Sequence, residues 1–138
     1  MFTRVIPTFA LIAITAVMGC QAKLTVNKTH TIPDEEGRIA EIFSMPAQPG
    51  AQTITIKLNV KRGSNIDVFV LPDDLVGVDV GTRPDEKKFW EGKAFGSKRD
   101  IKSETMTVKI PANTKYKVVI MQTDSAKEKS EIETNITN

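Results

Sequence analysis

The sequence predicts an all-β protein, an antiparallel β-sandwich of about seven to eight strands. Three observations carry this. Apolar residues recur with period two in several separate stretches and almost nowhere with the period of a helix. Those stretches are rich in Val, Ile and Thr, side chains that suit a pleated, half-buried surface. Clusters of Gly, Pro, Asn, Asp and Ser separate them at short intervals, as in a sandwich. A length of 138 residues, 40% of them hydrophobic and 26% charged, fits one domain with an ordinary core. No internal repeat is visible, which excludes a solenoid or propeller.

Taken in chain order, residues 23–29 and 40–45 are the weaker strand candidates, with a polar loop at 33–37 between them. Residues 52–60 alternate cleanly, with Ile54, Ile56, Leu58 and Val60 on one face and Thr53, Thr55, Lys57 and Asn59 on the other. Lys61-Arg62-Gly63-Ser64 then forms a turn in which Gly63 is free to take a positive φ. Residues 65–71 place Ile66, Val68 and Val70 on one face and Phe69 and Leu71 on the other. A strand apolar on both faces is central and covered on both sides. The two strands flanking Gly63 are expected to pair as a hairpin. Residues 72–101 lack alternation. Pro72-Asp73-Asp74-Leu75 suits a short helical turn, with Pro at its start and acids near its N-terminus. The rest of that stretch reads as a long polar loop. Residues 105–110 alternate again, with Met106, Val108 and Ile110 inward, and Pro111-Ala112-Asn113-Thr114 turns the chain. Tyr116, Val118 and Ile120 form the inward face of residues 116–123, where the Tyr116 hydroxyl is expected to reach backbone. Residues 130–137 close the chain, with Ile132 and Ile136 inward.

Composition excludes several function classes. Nineteen Lys and Arg against seventeen Asp and Glu, a net charge of +2, do not make a nucleic-acid surface. Aromatics at 6% do not make a stacking platform for bases. One Cys and one His exclude an internal disulfide, a Cys-based zinc site and a multi-His metal site. Nothing calls for a cofactor. His30 has no G-x-S-x-G partner for a nucleophilic triad and is expected at the surface. The acids Asp34, Glu35 and Glu36, and Asp73 with Asp74, lack the D-x-D-x-D-G spacing of a calcium loop and read as turn residues.

The N-terminus carries the most specific signal. Arg4 precedes an apolar run over residues 5–18, and no acid appears before Asp34. The run is shorter than the ~20 residues of a membrane-spanning helix and has the size of a secretory h-region. Val17-Met18-Gly19-Cys20 follows, and it resembles the bacterial lipobox, with Met18 as its one less usual residue. The resemblance implies cleavage after Gly19 and lipidation of Cys20, the only cysteine of the chain. Several acyl chains on one residue exceed the two signals that stable anchoring requires. Gln21, where an Asp tends to retain such proteins at the inner membrane, implies the outer membrane by the same resemblance. The expected organisation is a signal peptide at 1–19, a lipidated tether with the first strand at 20–37, and the sandwich at 38–138.

A second resemblance concerns the domain. Residues 63–71, G-S-N-I-D-V-F-V-L, and residues 108–120, V-K-I-P-A-N-T-K-Y-K-V-V-I, are similar to the signature of bacterial pre-peptidase C-terminal domains and to that of GOLD domains. It covers residues 38–137 and implies a jelly-roll-like sandwich that serves attachment, targeting or cargo contact and is not itself catalytic. Such domains usually accompany a larger protein; here one follows a lipidation signal.

The expected function is therefore a non-catalytic binding or structural module of the bacterial envelope. Its partners are the membrane, through lipidated Cys20, and an envelope protein or polymer. The alternatives are a small envelope hydrolase and a lipid-carrying or chaperone module. The candidate binding loop holds Lys87, Lys88, Trp90, Lys93, Phe95 and Lys98, because long loops on a rigid scaffold carry recognition. For Trp90 the competing reading is an aromatic plug that closes the sandwich. Lys93 and Lys98 are expected to be exposed basic tips.

Overall fold

The computed structural model describes residues 22–77, 80 and 85–138. The expectations for residues 1–19 and for Cys20 lie outside the described residues. Eight strands form: β1 (Thr25–Ile32), β2 (Ala40–Met45), β3 (Gln52–Arg62), β4 (Ile66–Pro72), β5 (Gly96–Ile101), β6 (Ser103–Ile110), β7 (Tyr116–Gln122) and β8 (Ser130–Thr137). Between β4 and β5 lie a 3-10 turn, Asp73–Leu75, and a short helix α1 (Glu86–Glu91). The first sheet has the order β1-β8-β3-β6 and the second β2-β7-β4-β5, with every neighbouring pair antiparallel.

Each strand pairs with the one equally far from the other end of the chain. β1 pairs with β8, β2 with β7, β3 with β6 and β4 with β5. The chain is thus one long antiparallel ribbon, tipped by the segment holding α1 and rolled so that successive pairs fall in alternate sheets. This is the jelly-roll arrangement of an all-β sandwich. The expected hairpin is overturned by it. β3 and β4, on either side of Gly63, lie in opposite sheets, and so do β6 and β7 on either side of the Pro111 turn. Alternation predicts which face of a strand is buried, and it holds equally when two strands meet face to face across the core. Gly63 carries the crossover with φ +91°, and a Cβ there would overlap the Lys129 carbonyl.

The main core fills the space between the sheets. Ile54, Ile56, Leu58 and Val60 of β3 face Val68 and Val70 of β4 and Val118 and Ile120 of β7, all buried. Val108 and Ile110 of β6, and Ile132 and Ile136 of β8, complete it. β4 is central and covered on both sides, as its composition requires. Its other face, Phe69 and Leu71, joins Val119 and Met121 of β7 in a second cluster under Trp90 and Val76. Trp90 meets Phe69 edge-on, with ring centroids 5.4 Å apart. β1 runs alongside β8 over its whole length.

Residues 72–101 are more regular than a loop. The 3-10 turn falls where Pro72 and the two aspartates place it. α1 and β5 were not expected, because six residues are too few to show a period and β5 is a polar edge strand. Leu58→Ala removes a side chain only 2% exposed in the middle of the core. It is expected to cost about 2–5 kcal/mol, read as a lower urea midpoint with an unchanged slope.

Candidate functional site

The sequence-predicted binding segment is a corner built from α1 and β5, and the expected open loop is corrected accordingly. Trp90 is 2% exposed and belongs to the second core cluster, so it is the plug. Phe95 packs against the main core, and its N–H donates to the Val70 carbonyl at 2.8 Å. Lys98 is no free tip. It lies on β5 and pairs with Glu104 of β6 at 2.6 Å. Lys88 and Lys93 are exposed, and Phe89, also on α1, is 54% exposed.

Lys87 points the other way, into a cluster of charges that seats α1 on the sheet. Its ammonium lies 2.6 Å from Asp67 Oδ2 and 2.8 Å from Asp124 Oδ1, and it donates to the Gln122 carbonyl at 2.8 Å. Asp67, on β4, is 1% exposed. Its second oxygen accepts the Asp100 N–H at 2.8 Å, and the Arg99 guanidinium stands 3.5 Å away. Arg99 also bonds Asp124 at 2.8 Å. The hydrogen bond from Lys87 holds the Asp124 carboxyl below its ordinary value. Asp67, Arg99 and Asp124 escape a reading by alternation. The available signal was an Asp within the apolar run of residues 66–71, since a charge in a doubly covered strand needs a buried partner. Beside this cluster runs an open groove of about 490 Å³, lined by Lys87, Lys88, Arg99, Asp124 and the apolar Ile39 and Met121.

His30 is buried, contrary to expectation. Its Nε2 lies 3.0 Å from Thr134 Oγ1, its ring meets Phe43 edge-on at 5.9 Å, and its Nδ1 has no partner among the described residues. It shares the inward face of β1 with Val26 and Ile32, which places it in the core margin. Burial pushes its pKa below 6.5, with Glu41 opposing and Lys28 adding to the shift. The Tyr116 hydroxyl, expected to reach backbone, is buried without a partner among the described residues, and burial raises its pKa to about 12. Asp34 behaves as a turn acid, accepting the Arg38 N–H at 2.8 Å and the Glu36 N–H at 3.0 Å. Among the described residues no group of three or more His, Cys, Asp or Glu is arranged to hold a metal, and no helix is long and apolar enough to cross a membrane.

No protein-family model and no curated protein sequence matches the chain. Solved structures do. A periplasmic inhibitor of g-type lysozyme from Aeromonas hydrophila, PliG, is 17% identical with a TM-score of 0.49, over 91% of this chain and 93% of that one. The K3 cleaved adhesin domain of Lys-gingipain from Porphyromonas gingivalis is 15% identical with a TM-score of 0.42, over 83% of this chain and 73% of that one.

Two predictions follow from the geometry. Lys87→Met leaves the Asp67 carboxylate buried with the Asp100 N–H and, at 3.5 Å, Arg99 as its remaining partners. The cost is expected to be about 3 kcal/mol, measured as a loss of thermal stability that Asp67→Asn partly restores in the double variant. His30 titrates below 6.5 in the folded chain, so on acidification the unfolded chain takes up its proton first. Stability is therefore expected to fall as pH drops through and below about 6.5. Denaturation midpoints at pH 7 and pH 5 check this. His30→Phe should flatten that limb and leave the further loss caused by Asp34 and Asp124 below pH 3.8.

Proposed function

We propose that this chain is a lipid-anchored, non-catalytic binding module of the bacterial envelope, tethered through Cys20 and presenting the α1–β5 corner to a partner. The observation that carries the reading is Val17-Met18-Gly19-Cys20 at the end of a short apolar run, with the chain's single cysteine at the position that is lipidated. Gln21 supports the outer membrane as its address.

The corner supports a recognition role through what it leaves unmatched. Lys88 and Lys93 have no ion-pair partner among the described residues, and Phe89 stands exposed between them. Behind them the Lys87–Asp67 pair and Trp90 hold α1 rigid, so little ordering is required on binding. An exposed aromatic flanked by free lysines suits a partner that presents acidic and apolar groups.

Labelling cells with radioactive palmitate tests the anchor. The wild type is expected to carry label and fractionate with membranes, and Cys20→Ala to do neither. A native protein that keeps residue 1, or a free thiol at Cys20, would falsify the reading. For the corner, Lys88→Glu with Lys93→Glu is expected to abolish the photo-crosslinks formed in membranes from a probe at position 89. The thermal midpoint should move by no more than an equivalent of about ±0.5 kcal/mol.

A further inference from the structure

The outer face of the first sheet carries an arrangement that the reading above does not use. Asparagine is depleted from strands, because its side chain competes with the backbone for hydrogen bonds. Here three asparagines occupy the interiors of three neighbouring strands and face outward on one sheet: Asn27 on β1, Asn135 on β8 and Asn59 on β3. Register places them together. Asn27 is directly opposite Asn135, which is opposite Lys57, which is opposite Thr105. In the adjacent outward row, Glu133 is opposite Asn59. These side chains line a shallow open concavity of about 460 Å³. None of the three amides hydrogen-bonds another described residue. Beyond them the next outward row is Thr25, Thr137, Thr55 and Thr107, one hydroxyl on each strand.

We infer that this face binds an extended, uncharged polysaccharide. Each amide both donates and accepts, which is what neighbouring sugar hydroxyls or acetamido groups require, and charged side chains meet only one half of that need. The strands lie about 4.8 Å apart, so hydrogen-bonding groups recur across the sheet on the scale of a sugar ring. The acids of the concavity are already paired. Of its charged residues Lys57, Glu104 and Glu133, Glu104 pairs with Lys98 at 2.6 Å and Glu133 with Lys61 at 3.4 Å. That pairing favours a neutral chain over a polyanion. The concavity is open and continues into the threonine row, so it suits a polymer rather than an enclosed monosaccharide. No aromatic side chain lies on the outward positions of these four strands. Affinity therefore comes from many hydrogen bonds in parallel and depends on polymer length.

The inference extends the binding-module reading to a second face, and the two are separable. Membrane-extracted, full-chain protein in detergent is sedimented with insoluble chitin and with microcrystalline cellulose. The wild type is expected to pellet with chitin, or with both. Chitin alone assigns recognition to acetamido groups, and both together assign it to hydroxyls. Asn27→Thr, Asn59→Thr and Asn135→Thr in one chain keep polar, strand-favouring side chains, and are expected to lower retention at least tenfold without lowering the urea midpoint. Lys57→Met, which removes a hydrogen-bonding group from the row, provides a second, milder variant and should lower it several-fold. Free N-acetylglucosamine should compete far more weakly than its oligomers. Failure to pellet with either polymer, or wild-type retention of the triple and Lys57 variants, overturns the inference. Palmitate labelling remains the separate measure of the anchor, so loss of one result leaves the other standing.

Discussion

The constraint on which the rest of this structure depends is that β4 and β7 are apolar on both faces. One face of each builds the sandwich core. The other presents Phe69, Leu71, Val119 and Met121, which water would otherwise meet. A two-layer sandwich has no third layer to offer, so the chain between β4 and β5 must supply one. It does so with Trp90, Val76 and the short helix α1. A six-residue helix has no stability of its own, and its position is set by what it covers and by the Lys87–Asp67 pair at its rim. The groove and the exposed Lys88, Phe89 and Lys93 follow from that placement.

The two sheets consequently have unlike exteriors. The second is capped and edged by an ion cluster, with a mixed apolar and charged surface. Among the described residues the first has no helix against it and shows water a field of amides, hydroxyls and paired charges. Hydrophobic burial explains the inward side of both and is silent on this difference. Among the described residues no element packs on the outward side chains of the first sheet, so burial does not dictate the asparagines there. Three strand-averse residues placed side by side cost stability that Thr or Val at the same positions would restore.

Much of the sandwich was legible in the sequence. Ile54 to Val60, Ile66 to Leu71 and Val118 to Ile120 announced their buried faces by alternation, and all are core. Strand partnership was not legible. Gly63 and Pro111 mark reversals of direction, and a reversal within a sheet carries the same turn residues as a crossover between sheets. Trp90 could be read as a plug, since an isolated aromatic beside a doubly apolar strand has a place to go. The ion pair of Lys98 was not legible, because its partner Glu104 is six residues away across the β5–β6 turn, a distance set by register and invisible to composition. His30 was misjudged because the polar neighbours Lys28 and Thr29 hid its inward parity with Val26 and Ile32. Asn27, Asn59 and Asn135 are far apart in sequence and unremarkable singly. Only the pairing of β1, β8 and β3 makes them one surface.

The ribbon topology also sets a timetable. Strands near the middle of the chain have partners close by, while among the described residues β1 pairs in its sheet only with β8. Contacts between distant segments form late, because the intervening loop must first be closed. A chain that emerges N-terminus first therefore exposes β1 well before β8, its partner, appears with residue 130 and its successors. Through that interval β1 waits unpaired, and the sandwich closes in a late step that joins its first strand to its last.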